Sequence, residues 1–231
     1  MQNIHILVVD DESEIADLVE LYLVNEGFRV TKFYDPGKAL EAIKNTTFSL
    51  AILDVMMPNV DGFSLLGEIR KLHTYPVIML TAKIENIDKI TGLNAGADDY
   101  ITKPFHPLEM TARVKAQLRR YLRYNETADL QQDIIDFSGL IINRKTHECT
   151  LYGKPLCLTP IEFSILWLLC ENRGRVLSSE ELFERVWGEK YLESNNTVMV
   201  HIRRLREKMQ EPPRAPKFIK TVWGVGYKIE K

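Results

Sequence analysis

Short apolar runs alternate with longer amphipathic stretches through the first half of the chain. Ile4–Val9, Phe28–Phe33, Leu50–Leu53, Val77–Leu80 and Tyr100–Ile101 read as strands. Runs that are apolar on both faces suit a parallel sheet covered by helices on each side. Between them Ile15, Leu18, Val19, Tyr22 and Leu23 recur at helical spacing, and Gly27 stands where a helix cap needs positive φ. Pro36–Lys44, Gly62–Leu72, Ile84–Ala95 and Pro107–Tyr121 repeat that pattern. Five strands alternating with five helices predict a doubly wound α/β domain over residues 1–120.

The pattern breaks over residues 121–132, a polar stretch without sustained period that reads as a linker. Beyond it the order of elements changes. Ile134–Leu158 predicts short strands with turns at Ser138-Gly139 and Tyr152-Gly153-Lys154. Three helices follow, Pro160–Asn172, Ser178–Trp187 and Asn195–Met209, and Lys217–Lys231 ends the chain as a hairpin punctuated by Gly224 and Gly226. This is a second, α+β domain over residues 133–231.

Composition narrows the class. The 231 residues are 45% apolar and 27% charged, as in ordinary globular proteins. No apolar run approaches the roughly 18 residues that span a bilayer, and the first residues lack a secretory pattern, so no membrane partner and a cytoplasmic location are expected. Cys149, Cys157 and Cys170 show no CxxC pairing, which argues against a disulfide framework or zinc site. The formal charge is −2, but residues 1–120 hold 13 Lys+Arg against 17 Asp+Glu while residues 121–231 hold 17 against 15. What matters is where the positive charges of the second half cluster.

Functional groups of open parallel sheets gather at the carboxyl ends of the strands. Here those ends carry Asp10 and Asp11, Asp54, Thr81 and Lys103. Each alone has a plain alternative as a helix cap or solvated charge; all five on one rim is the pattern that matters. Two carboxylates about 4 Å apart repel by roughly 4 kcal/mol at an effective dielectric near 20. A cluster of three calls for a cation, and hard oxygen ligands suit Mg²⁺. Such a rim could hold a phosphoryl group against Asp54, with Lys103 and Thr81 gripping its oxygens and Asp54 acting as a carboxylate nucleophile. A flavin binder fits less well, because Asp10-Asp11-Glu12 would repel its phosphate. A dehalogenase-type phosphatase lacks its second Asp two residues after either candidate nucleophile.

Asp10-Asp11, Leu53-Asp54-Val55-Met56-Met57-Pro58, Asp61-Gly62, Thr81-Ala82 and Ala97-Asp98-Asp99-Tyr100-Ile101-Thr102-Lys103-Pro104-Phe105 resemble the receiver domain of two-component response regulators. The resemblance implies that a sensor histidine kinase phosphorylates Asp54. It also implies that Asp11, Asp54 and the Met56 carbonyl ligate Mg²⁺ with Asp10 assisting, and that Lys103–Pro104 is cis. Thr81 and Tyr100 match the positions that couple phosphorylation to the surface. Such a protein assists its own phosphoryl transfer and slow dephosphorylation and is not a turnover enzyme.

On Asn195–Met209 the side chains of Val198, Ile202, Leu205 and Met209 form one stripe expected in the core. Thr197, Val200, Arg203, Arg204 and Glu207 project away from it, with His201 and Arg206 flanking. An open face with three arginines suits a major groove, where side chains read base edges and flanking cations hold phosphates. Lys217, Lys220, Thr221 and Lys228 add polar and positive groups nearby, while Glu189, Glu193, Glu207 and Glu211 oppose them.

Leu158-Thr159-Pro160-Ile161-Glu162-Phe163, Leu182 to Trp187-Gly188, Val200-His201-Ile202-Arg203-Arg204-Leu205-Arg206 and Thr221-Val222-Trp223-Gly224-Val225-Gly226-Tyr227 resemble the winged-helix domain of OmpR/PhoB-type regulators. The resemblance puts the recognition helix at Asn195–Met209 and the wing at Phe218–Lys231, with Thr221 and Tyr227 as further DNA candidates. Many members carry an arginine where this chain has Trp223, which cannot supply that charge.

In that subfamily, charges pair across a twofold dimer formed on phosphorylation. Here that implies Lys89 with Glu109 and Asp99 with Arg113, with Asp98 beside them; the plainer alternative is local pairing of Glu109 with Arg113. Promoter DNA and RNA polymerase are the implied further partners. Glu14–Leu23, His73-Thr74-Tyr75-Pro76, Asp88–Leu93, Thr146-His147-Glu148-Cys149 and Ile219–Lys231 look like the branch of vancomycin-resistance regulators of the VanR type. Alternatives are another cell-envelope regulon, or a receiver protein acting through protein contacts alone.

Overall fold

The computed structural model describes residues 4–58, 60–82, 96–123, 133–188, 191, 197–212 and 215–230. The expected helix Ile84–Ala95 with Lys89, most of the expected linker, and Glu189 and Glu193 lie outside the described residues. The chain divides into two units, Met1–Tyr121 and Leu122–Lys231.

The first unit runs β1 (His5–Val9), α1 (Ser13–Asn25), β2 (Arg29–Phe33), α2 (Pro36–Asn45), β3 (Leu50–Asp54), α3 (Gly62–Leu72), β4 (Val77–Thr81), β5 (Asp99–Thr102) and α4 (Pro107–Arg123). The five strands are parallel in the order β2-β1-β3-β4-β5. Every residue of β1, β3 and β4 is buried, as continuous apolar runs require, whereas β2 is a partly exposed edge. The order reverses beside β1, so β1 and β3 diverge into helices on opposite faces and leave a crevice at their carboxyl ends. Local chemistry starts the helices. Asp35 caps α2 by accepting from the Gly37 N–H at 2.7 Å, and Asp61 caps α3 by accepting from Ser64 N–H at 2.6 Å.

Asp98 corrects an expectation. Rather than facing a second copy, it is fully buried immediately before β5, where it accepts hydrogen bonds from Arg70 Nη2 at 2.7 Å and Val77 N–H at 2.9 Å. Burying a carboxylate without such donors would cost several kcal/mol; with them Asp98 joins α3 to two strands. Asp99 and Arg113 pair within the chain at 3.3 Å, and Arg113 also reaches Glu109 at 3.1 Å.

The second unit begins with an antiparallel sheet of β6 (Ile134–Phe137), β7 (Leu140–Asn143), β8 (Glu148–Leu151) and β9 (Lys154–Pro155). Its hairpins turn at Ser138-Gly139 and Tyr152-Gly153, all four at positive φ as two-residue turns demand. Then come α5 (Pro160–Glu171), α6 (Ser179–Trp187), α7 (Thr197–Lys208) and the antiparallel hairpin β10 (Ile219–Val222) and β11 (Gly226–Ile229). Helix α5 is buried from Pro160 to Cys170, so it is the centre on which the rest packs. Among the described residues no helix is long and apolar enough to cross a membrane.

Candidate functional site

The carboxyl ends of the first sheet bring the expected rim together. Asp10 follows β1, Asp54 closes β3, Thr81 closes β4 and Lys103 follows β5. Oxygens of Asp10, Asp11 and Asp54 all lie within 4.8 Å of one another, with Asp10 and Asp54 buried and Asp11 exposed. Backbone donors aim two of them: Glu12 N–H donates to Asp10 Oδ1 at 3.0 Å and Met56 N–H to Asp54 Oδ2 at 2.9 Å.

Lys103 holds the negative charges together. Its ammonium lies 2.9 Å from Asp10 Oδ2, 2.9 Å from Asp54 Oδ1 and 3.0 Å from Glu12 Oε1. Burial alone would lower its pKa, but hydrogen bonds to Asp10, Asp54 and Glu12 outweigh this and raise it. Asp10 moves upward: burial is the main cause and Asp54 adds to it, against the pull of Lys103. The strand-end pattern places Lys103 on this rim but does not announce Glu12 as its third partner. The Lys103–Pro104 peptide is cis. Thr81 is buried, and Tyr100 is half-buried against the core of the sheet.

Gly62 sets the rim from behind. A Cβ there would fall 2.0 Å from the Asp54 carbonyl oxygen, so only glycine lets α3 start this close to the end of β3.

In the second unit, α7 differs from the simple amphipathic picture. Val198, Ile202, Leu205 and Met209 are buried as expected, but so are Val200 and His201, which were expected toward DNA. The reason is two-sided packing: α7 lies against both α5 and α6, and the His201 ring meets Trp187 at 5.5 Å. Arg204 is a further correction. Its side chain is 11% exposed and its guanidinium lies 3.7 Å from the wholly buried Glu162. Arg206 instead donates to the Ile219 carbonyl at 2.7 Å and to Thr221 Oγ1 at 2.8 Å, tying helix to hairpin. Tyr227 is buried in the domain core and Thr221 is half-buried, so neither presents an open face. The exposed stripe of α7 is Met199, Arg203 and Glu207, one turn apart each, with Thr197 half-exposed at its start. Arg203 pairs with the equally exposed Glu207 at 2.9 Å. Met199 escapes a reading of the sequence because its hydrophobicity suggests core.

Fold and rim together define a class: an aspartate receiver joined to a winged-helix DNA-binding domain. Residues 6–115 match the response regulator receiver domain, and residues 153–229 match the C-terminal domain of transcriptional regulatory proteins. The chain is 62% identical to regulatory protein VanRc of Enterococcus gallinarum and 60% identical to regulatory protein VanR of Enterococcus faecium, each over 98% of both chains. Its fold matches response regulator DrrB, a Thermotoga maritima OmpR/PhoB homologue, at 34% identity and TM-score 0.52 over 99% of each chain. The chain therefore belongs to the OmpR/PhoB-type response regulators, transcription regulators with a receiver and a DNA-binding domain.

Proposed function

We propose that Asp54 is the phosphoacceptor of a partner histidine kinase, and that its phosphorylation switches promoter binding by residues 133–231 through a receiver of residues 1–120 and a linker of residues 121–132. The observation that carries this reading is the meeting of Asp10, Asp11 and Asp54 oxygens within 4.8 Å of one another, with the Lys103 ammonium on Asp10 and Asp54.

The donor set fits Mg²⁺: three hard carboxylates converge, and Asp11 is exposed, which leaves coordination positions open to solvent or a phosphodonor. Asp11, Asp54 and the Met56 carbonyl would hold the ion, with Asp10 assisting; when bound it offsets carboxylate charge and steadies phosphoryl oxygens. An Asp54 carboxylate oxygen attacks the phosphorus of the kinase's phosphohistidine, the P–N bond breaks with the imidazole as leaving group, and Asp54 becomes an acyl phosphate. Lys103 transfers its hydrogen bond from Asp54 to a phosphoryl oxygen, and Thr81 supplies a hydroxyl to another. Slow hydrolysis of the same bond resets the rim without making the protein a turnover enzyme.

Thr81 and Tyr100 then carry the change to the surface holding Asp99, Glu109 and Arg113. In the single chain Arg113 is satisfied by Asp99 and Glu109, so dimerisation exchanges these partners for the same groups of a second copy. A twofold dimer would set two recognition helices on half-sites about one helical turn apart. Thr197, Met199 and Arg203 are the groups we assign to the DNA face, and RNA polymerase is a further partner of the bound regulator. Given the similarity to VanR and VanRc, we place the targets among vancomycin-resistance genes that remodel cell-wall precursors, in the cytoplasm.

A gel shift on the promoter beside the protein's own gene tests this. Acetyl phosphate should raise the affinity of the native chain and leave Asp54→Asn unchanged. Equal affinity of both proteins with the phosphodonor would overturn it.

A further inference from the structure

Glu12 meets Lys103 at the open side of the rim. Its Oε1 lies 3.0 Å from the ammonium, and its side chain is 64% exposed where that of Lys103 is 11%. The same nitrogen lies 2.9 Å from Asp54 Oδ1. No more than two ion-pair lengths therefore separate the Glu12 carboxylate from the acceptor oxygen.

Local structure leaves this side chain free for the contact. Helix α1 starts from Glu12, yet the Glu12 side chain makes no capping hydrogen bond, whereas Asp35 and Asp61 cap α2 and α3. Its backbone is pinned instead. The Glu12 N–H donates to Asp10 Oδ1 at 3.0 Å, and the Glu12 carbonyl accepts from Ala16 N–H at 3.1 Å. The residue is fixed to the rim by its main chain, and its carboxylate serves Lys103.

The balance of charge says what that carboxylate does. Asp10, Asp11 and Asp54 bring three negative charges, which a bound Mg²⁺ and Lys103 together cancel. Among these described groups Glu12 is the surplus, an exposed negative charge beside the acceptor. Met56, the exposed neighbour beyond Asp54, is apolar and offers no counter-charge. Glu12 also holds the ammonium that must grip an incoming phosphoryl oxygen.

We propose that Glu12 sets which phosphodonors Asp54 accepts, by repelling small free anions and competing with their oxygens for Lys103. A phosphohistidine on a docked kinase is held by protein contacts and is least affected. This rests on the phosphoacceptor reading above and deepens it to the class of donor. With acetyl phosphate, an Asp54 oxygen attacks phosphorus, the P–O bond to the acetyl group breaks, and acetate leaves with the bonding pair. That donor is a dianion at neutral pH. Phosphoramidate reacts at the same oxygen, losing ammonia from its protonated nitrogen, and carries one negative charge less.

The test follows phosphorylation of the full chain by intact mass at saturating magnesium. Glu12→Gln keeps the side-chain length and a hydrogen-bond acceptor for Lys103 and removes the charge. At low ionic strength it should react about three- to tenfold faster than the native chain with acetyl phosphate, the scale of a unit charge acting on a dianion through partly screened solvent. With phosphoramidate the gain should be about two- to threefold. The acetyl phosphate gain should fade towards about 1 M salt, where the Debye length is about 3 Å. Glu12→Asp, which keeps the charge, should stay near the native rate. Calorimetric titration with magnesium alone gives a second readout, in which Glu12→Gln should bind about threefold more weakly.

Equal rates for the native chain and Glu12→Gln, a gain indifferent to donor charge and salt, or an unchanged magnesium affinity would overturn the proposal. A slower Glu12→Gln with both donors would overturn it too, and make Glu12 an anchor for Lys103. In each of those cases Asp54 remains the acceptor. If the native chain gains no phosphoryl group on Asp54, both readings fall together.

Discussion

The Arg204 guanidinium stands 3.7 Å from the Glu162 carboxylate, joining the last half of α7 to the first turn of α5. Lys208, one turn later, reaches the same carboxylate at 2.6 Å. Glu162 also accepts from the Thr159 N–H at 2.8 Å and closes a capping box with Thr159. Burial would raise its pKa, but Lys208, Arg204 and the Thr159 N–H overcome this and leave it lowered. One buried carboxylate thus caps α5 and fixes the rotation of α7 about its axis.

Removing that carboxylate should strand two cations against a buried surface. Glu162→Ala is expected to lower the stability of the second domain by about 3–5 kcal/mol, the range for breaking a buried ion pair. Urea unfolding followed by tryptophan emission reads this domain alone, because Trp167, Trp187 and Trp223 all lie in it. A loss under about 1 kcal/mol would show that the network carries little.

Neighbouring arginines of α7 should separate by phenotype. Arg203→Ala should weaken promoter binding and reduce the salt slope by about one, as loss of a phosphate contact does. Arg204→Ala should instead lower the urea midpoint of the domain. The opposite outcome, with Arg204→Ala stable and Arg203→Ala silent in DNA binding, would reverse the roles of the two arginines.

Most of the fold was legible in the sequence because its signals are local. Continuous apolar runs marked β1, β3 and β4, and the residues ending those strands marked the rim, since a parallel sheet delivers its strand ends to one side. What escaped were pairings between distant residues. Nothing near Arg204 in the chain announces Glu162, and nothing near Asp98 announces Arg70. Val200 and His201 were misplaced because one apolar stripe implies one packing surface, whereas α7 has two. Met199, which no sequence pattern singles out, stands on the open stripe although its side chain would suit a core.

Gly62 offers a test of how tightly the rim is built. Gly62→Ala would drive a methyl to 2.0 Å from the Asp54 carbonyl, and backbone cannot yield as a side chain tip can. A stability loss of about 1–3 kcal/mol is expected, the usual cost of overpacking, with slower phosphorylation from acetyl phosphate. Native melting temperature and native phosphorylation rate together would show that the close approach is unimportant.

His147 should make the second domain sensitive to acid. It stacks on Phe163 with ring centroids 3.8 Å apart, and burial lowers its pKa to about 4. The unfolded chain, with His near 6.5, takes up the proton first. The contribution is therefore complete above pH 6.5 and is lost as pH falls towards 4, by no more than about 3.5 kcal/mol. Urea unfolding of the native chain and His147→Asn across this range checks the sign. Their stability difference should be constant above pH 6.5 and shift against the native chain below it; a constant difference throughout would exclude the effect.

The most direct test of the acidic rim is chemical. With magnesium and acetyl phosphate, intact mass measurement should show the native chain gaining one phosphoryl group. Hydroxylamine should remove it, as it does an acyl phosphate, and borohydride trapping should mark Asp54. Asp54→Asn should gain none. A phosphoryl group that resists hydroxylamine, or that arrives equally on Asp54→Asn, would contradict the role of this aspartate as phosphoacceptor.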